Sequence, residues 1–365
     1  MLTLGVEEEY LLLDPATGLP VARAGRVREA AGLQPALRPD EVQRELLQAQ
    51  IEIATPVCRE LEEVGGHLLR IRHALGEAAA GSGCRLAATG AAPFSDRFPV
   101  PVTPSPRYLR MRSDAPQLTD EQLITGMHVH IGIPDRATGV TVLNRLRPWL
   151  PVLVGVAANS PLWQGVDTGF ASWRTLVFGR WPVSGPPPHF EDSADYDRRV
   201  RGLVTGGLIR DVGQVYWHVR LSESYPTVEV RAMDVQLRPD EAVMLAGLVR
   251  ALAGRAVGAG GEWPPMAPVR PETLAAAVWY AARHGCSDQV FDPRSGRLRP
   301  TDEVVSALLD LVDPVLDEAE DRRQVVPVLG RTLRSGNGAA RQRRELRGGG
   351  RAGLLRMVID QTTGS

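Results

Sequence analysis

The sequence predicts an α+β fold with a mixed or antiparallel sheet, on three observations. Strand-like and helix-like runs do not alternate in a regular βαβ rhythm. The chain beyond residue 235 is nearly all helical in pattern. No Gly-x-Gly-x-x-Gly follows any strand-like run, which sets aside a dinucleotide-binding fold.

The first strand is expected over 2–13, running into a turn at Asp14-Pro15. Side chains alternate faces along a strand, so Glu7 and Glu9 point one way and Glu8 the other. The second, over 47–54, sets Gln48, Gln50 and Glu52 against Ala49, Ile51 and Ile53. A third is expected over 84–90. In the fourth, 126–133, His128 and His130 alternate with Met127, Val129 and Ile131. The last two cover 214–221 and 227–235, where Thr227, Glu229 and Arg231 alternate with Val228 and Val230. If these strands share a sheet, one face is apolar and the other is rich in carboxylates.

Helices are expected near 57–80, 138–158, 192–203, 239–257, 271–284, 301–318 and 319–334, with another from about 337. The first starts after Thr55-Pro56 and carries Leu61, Val64, Leu68, Leu69, Ile71 and Leu75. Three loops stand out: 92–107, 179–190 and 257–271. The 179–190 segment is stiffened by proline and neighbours Trp173, Arg174, Arg180 and Trp181. That composition suits a lid over an anionic substrate. No linker divides the chain, so residues 1–365 are read as a single catalytic domain.

The 365 residues carry 42 basic and 43 acidic side chains, a formal net charge of −1. Nothing in that balance favours nucleic acid or an anionic membrane. No apolar run is long enough to span a bilayer. No basic stretch precedes an apolar one at the start, so a cytoplasmic protein is expected. The 3 cysteines lie far apart and form no Cys-x-x-Cys, against a zinc ribbon or a disulfide framework. A homodimer is the oligomer expected on general grounds.

Every basic side chain other than histidine is arginine; there is no lysine. That excludes a P-loop NTPase, a protein-kinase-type fold and Schiff-base chemistry. Phosphate must therefore be handled by arginine, metal ions and backbone amides.

Glu7, Glu9, Glu52 and Glu229 are acids flanked by apolar neighbours on strands far apart in sequence. Clustered carboxylates repel unless cations lie between them. Hard oxygen donors with an imidazole point to Mg²⁺ or Mn²⁺. His128 and His130 share one strand face and on their own would equally suit zinc. Arg231 points with the acids, as a phosphate partner or a structural counter-ion. Arg220 and Trp217 could line the same cavity. The run Ser335-Gly336-Asn337-Gly338-Ala339-Ala340-Arg341-Gln342 is either a helix connection or a phosphate contact at a helix N-terminus.

Four segments in order resemble one family. Gly5-Val6-Glu7-Glu8-Glu9-Tyr10, Thr125-Gly126-Met127-His128-Val129-His130-Ile131-Gly132, Gly185-Pro186-Pro187 and Pro226-Thr227-Val228-Glu229-Val230-Arg231-Ala232-Met233-Asp234 look like the glutamate–cysteine ligase type 2 family, in its YbdK-like carboxylate–amine ligase branch. Gly338-Ala339 with Arg341-Gln342 also fits. The resemblance implies a glutamine-synthetase-like curved, largely antiparallel sheet with helices on the convex side. It implies ATP with two or three Mg²⁺ ions, Mn²⁺ being the alternative. By motif position, Glu7, Glu9, Glu52, His128 and Glu229 resemble the metal-binding set, with Glu52 and Glu229 also catalytic. Arg231 resembles the phosphate-stabilising arginine, and Arg341 and Gln342 would join it at the nucleotide. Arg174, His130 and Arg220 are the substrate-binding candidates.

The implied reaction forms an amide from a small-molecule carboxylate and an amine through an acyl phosphate. Glutamate and cysteine are one pair of partners; an amide-forming ligase of secondary metabolism would use others. A phosphagen-type kinase on a related sheet and a metal-dependent hydrolase using His128 and His130 are the competing classes.

Overall fold

Alternation along Leu4–Leu13 sets the architecture. Leu4, Val6, Tyr10 and Leu12 are buried in the main core, while Gly5, Glu7 and Glu9 face the other way. The structure is a computed structural model that describes residues 1–38, 40–96, 99–259, 263–266 and 268–364. Leu4–Leu13 lies inside a 7-stranded sheet. The order across it is Val219–Leu221, Thr227–Asp234, Gly126–Gly132, Leu4–Leu13, Gln50–Ala54 and Val42–Arg44, with Arg85–Ala87 pairing the far end of Leu4–Leu13. Every ladder of this sheet is antiparallel. The α+β expectation therefore holds.

The apolar face packs against helices Leu61–Gly81 and Pro239–Ala256, where Leu68, Leu75, Leu245 and Leu252 meet Ile51, Ile53, Val129 and Val230. Helix Leu61–Gly81 begins with a capping box between Glu60 and Glu63, which satisfies amides that the first turn leaves open. Glu8 is the exception on this face. It is fully buried, and Arg72 Nε donates to its Oε2 at 2.9 Å.

Pairing places acids opposite ligands. Glu7 faces His128, Glu9 faces Glu52, and Glu229 faces His130. A bulge interrupts Thr227–Asp234 between Val230 and Met233. The extra residue puts Met233 opposite buried Met127 and Asp234 opposite Gly126. Asp234 thereby lies on the face that carries Glu229 and Arg231.

Five of the expected strands exist with shorter bounds; the 214–221 strand is instead two, Val219–Leu221 in the main sheet and Tyr216–Trp217 paired with Ser184–Gly185. The 138–158 helix is instead three pieces, Arg136–Leu146, Arg147–Trp149 and Leu150–Ala157, because Pro148 and Pro151 each reset the helix start. Helices Ala24–Ala31, Pro106–Asp114, Pro116–Asp120 and Trp173–Phe178 were not anticipated. Pro106–Asp114 follows a clear signal nonetheless, Ser105 as cap and proline as first helical residue. Parts of the 92–107 and 257–271 loops (97, 98, 260–262 and 267) lie outside the described residues. Among the described residues, no helix is long and apolar enough to cross a membrane.

Candidate active site

The polar face of the sheet forms the floor of a hollow of about 600 Å³. Glu7, Glu9, Glu52, His128, His130, Glu229, Arg231, Arg220 and Arg174 all line it. Residues from five strands and one short helix thus converge as alternation requires.

The donors are close. His128 Nδ1 lies 3.0 Å from Glu7 Oε2, and His130 Nε2 lies 3.4 Å from Glu7 Oε1. Glu9 Oε2 accepts from the amide of Gly126 at 2.6 Å. Glu7, Glu52 and His128 present donor atoms all within 4.8 Å of one another, and so do Glu7, His130 and Glu229. The Nε2 atoms of His128 and His130 are buried without a hydrogen-bond partner among the described residues. Two overlapping sets of carboxylate and imidazole donors, with imidazole nitrogens unsatisfied, fit hard divalent cations.

Electrostatics sort the acids. Burial alone would raise Glu7, but the neighbouring His128 and His130 outweigh it and hold the carboxyl well below its usual range. Burial would also raise Glu229, yet Arg231 and Arg220 hold it far down. At Glu52 the balance is reversed, with Arg231 the weakest of the influences on it. Burial, then the fields of Glu45, Glu7 and Glu9, push it well above the ordinary value. Burial lowers His128, helped by Arg231. Opposed shifts of this kind follow when carboxylates crowd into one hollow and only some of them have a cationic partner.

The cationic side is built from arginine. Arg220 Nε donates to Glu229 Oε2 at 2.7 Å, and Arg231 Nη1 donates to Glu229 Oε1. Arg174 sits on the short helix Trp173–Phe178, capped by Ser172. It is buried, and its Nε has no partner among the described residues.

Some wall residues escaped the sequence reading. Glu45 follows the short edge strand Val42–Arg44; burial, then Glu9, push its carboxyl up to about 8. Arg107, Tyr108 and Met111 come from helix Pro106–Asp114, and Tyr216 precedes strand Val219–Leu221. Of these, only the cap signal at Ser105-Pro106 was legible.

Arg341 and Gln342 are not brought to the hollow. Arg341 Nη2 donates to Glu241 at 2.7 Å. Gln342 is fully buried and donates to Asn159. The helix start that carries them packs into the protein, so their side chains are engaged in structure where nucleotide contact was expected. The 179–190 segment differs from a free lid as well. Ser184–Gly185 pairs with Tyr216–Trp217, Arg180 pairs with Glu121, and Trp181 alone of the segment lines the hollow. His218, behind this wall, is pushed down to about 3 by burial and by Arg174 and Arg231.

Comparison with known proteins adds a family. The profile of "Glutamate-cysteine ligase family 2(GCS2)" matches residues 3–360. A protein of Rhodopirellula baltica named "Putative glutamate--cysteine ligase 2" is 39% identical over 367 residues, covering 100% of this chain and 97% of its own. A Saccharopolyspora erythraea protein, "Putative glutamate--cysteine ligase 2-1", is 44% identical over 346 residues, covering 95% of this chain and 90% of its own. The crystal structure of glutamate–cysteine ligase from Francisella tularensis in complex with AMP superposes with a TM-score of 0.75 at 11% identity, covering 100% of this chain and 88% of that one. At that identity the likeness is one of fold.

Proposed function

The chain belongs to glutamate–cysteine ligase family 2 and is an ATP-dependent carboxylate–amine ligase, and from that premise we propose that the acid-lined hollow is where its amide bond is made. The observation that carries this reading is the convergence of Glu7, Glu9, Glu52, His128 and Glu229 in one hollow with Arg174, Arg220 and Arg231 beside them.

Glu7, Glu52, His128, His130 and Glu229 would hold the divalent ions, Mg²⁺ or Mn²⁺, with Glu9 beside them. Such ions supply charge neutralisation for a bound triphosphate. Arg231 orients the γ-phosphate through its fork, whose Nε has no partner among the described residues. Arg174 receives an anionic group of the acid substrate, for the same reason. His130 and Arg220 stand at the edge of the same hollow, and substrate contact is the role assigned to them.

The substrate carboxylate attacks the γ-phosphorus, the bond to the β-phosphate oxygen breaks, and ADP leaves. The amine then attacks the acyl carbon, the carbon–oxygen bond to phosphate breaks, and phosphate departs with the proton that nitrogen loses. Trp181, Tyr216 and Phe178 wall the hollow on one side and limit the access of water to the acyl phosphate. The whole chain is read as one catalytic unit, supported by a main core that draws on residues from Leu4 to Leu329.

Glutamate, reacting through its γ-carboxylate, and cysteine are the first substrates to test, after the names of the relatives. The test is ADP release from ATP in the presence of paired acids and amines, with mass spectrometry of the product. Release that needs both partners and yields their amide supports the ligase. Phosphate transfer to a single partner would overturn it in favour of a kinase.

A further inference from the structure

Asp234 closes the strand that bears Glu229 and Arg231, and it is fully buried. Its Oδ2 accepts from the Asn159 amide at 2.8 Å and from Ser160 Oγ at 2.6 Å, and its Oδ1 accepts from Ser172 Oγ at 2.8 Å. Those two serines hold Arg174. Ser160 Oγ accepts from the Arg174 amide at 3.0 Å, and Ser172 caps the helix on which Arg174 sits. The guanidinium then passes over Gly126, where a Cβ would lie 2.2 Å from Nη2. Only glycine leaves that path to the hollow open.

The same network extends away from the hollow. Asn159 Nδ2 donates to the carbonyls of Ala88 and Val235 at 3.0 and 2.7 Å. Gln342 Nε2 donates to Asn159 Oδ1 and to its carbonyl, both at 2.8 Å. The C-terminal helix comes this close because residue 338 is glycine; a Cβ there would lie 2.0 Å from Asn159 Oδ1. A chain of buried, satisfied hydrogen bonds therefore joins Gln342 to Arg174. Such networks fix one geometry, because each member leaves the others unsatisfied if it moves.

We propose that Gln342, Asn159 and Asp234 are positioning residues that aim Arg174 into the hollow, so that the C-terminal helix sets the enzyme's grip on the acid substrate without touching it. This rests on the reading of Arg174 as the receptor of the substrate anion. It gives the Arg341-Gln342 segment a task that its place in the fold permits.

The amides of Asn159, Arg174 and Thr175 all donate within the network, so they report on it directly. Hydrogen exchange on the full chain with Gln342→Met, which removes both bonds to Asn159, is expected to quicken at those amides by about tenfold or more. Helix Leu61–Gly81 is expected to keep its wild-type exchange. Uniform acceleration, or none at 159 and 174, overturns the relay. In ADP-release kinetics with glutamate, cysteine and ATP, Gln342→Met should raise KM for the acid and leave KM for ATP within about twofold. Combined with Arg174→Gln it should add nothing further; additive losses overturn the relay. If Arg174→Gln alone binds the acid as well as wild type does, the anion-receptor reading fails while the exchange result still decides the hydrogen-bonded chain.

Discussion

Arg220 Nε stands 2.7 Å from Glu229 Oε2, and Arg231 grips the other oxygen of that carboxylate. One acid is thus shared by two guanidiniums at the edge of a cage of acids. The pairing holds Glu229 ionised and holds both forks toward the hollow. Because the geometry uses a planar fork, lysine cannot replace it. Arg231→Lys is expected to slow ADP release by about two orders of magnitude with an unchanged fold by circular dichroism. Turnover within about twofold of wild type would leave Arg231 as a counter-ion only.

Glu52 predicts a metal dependence that varies with pH. Its folded pKa is raised above 4.5, so the metal-free fold loses stability as pH rises from 4.5 toward that higher value. A divalent cation that binds the ionised carboxylate restores the loss. The rise in Tm given by Mg²⁺ or Mn²⁺ should therefore be larger at about pH 8 than at about pH 5.5. Glu52→Gln should shrink that difference and abolish ADP formation. A metal-induced rise unchanged in Glu52→Gln would remove the residue from the cation cage.

His218 predicts acid sensitivity of the opposite origin. The unfolded ring takes up a proton near pH 6.5, whereas the folded ring refuses it until about pH 3. Stability should fall as pH drops through that window, by at most about 1.4 kcal/mol per pH unit. Urea titrations of His218→Gln between those values should show a flatter slope than wild type. Parallel slopes would mean that other groups carry the acid response.

The pair on the apolar face is a structural test. Arg72 also donates to the carbonyls of Gln236 and Leu237 behind the sheet, at 2.9 and 3.1 Å. Arg72→Met strands the Glu8 carboxylate in the core and should destabilise the protein by about 3–5 kcal/mol. Adding Glu8→Leu should recover a large part of that loss in denaturant titration. No recovery would show that the carbonyl contacts, rather than the stranded charge, dominate.

Much of the site was legible because a period of two needs no knowledge of partners. Glu7, Glu9, Glu52, His128, His130, Glu229 and Arg231 follow from alternation within their own strands, and they line the hollow together. Glu45 was not legible, since it leaves a short edge strand and its direction is set by the turn that follows. Arg107 and Tyr108 belong to a helix that the prolines before it disguised as loop. Gln342 was read from its motif as a ligand contact, but burial against Asn159 depends on packing that no local pattern records. Arg174 lines the hollow, though nothing in a six-residue helix reveals which element steadies it.

The bulge between Val230 and Met233 works as a change of phase. Arg231 and Asp234 are an odd number of positions apart, so an uninterrupted strand would send them to opposite sides. With the extra residue, Arg231 and the acid behind Arg174 share one side. Deleting Ala232 would remove the extra residue and leave Met233 opposite Met127 and Asp234 opposite Gly126, so both would keep their sides. Loss of one residue should thus be tolerated at the bulge and not in the regular ladder before it, a constraint on sequence drift that composition at each position would not disclose.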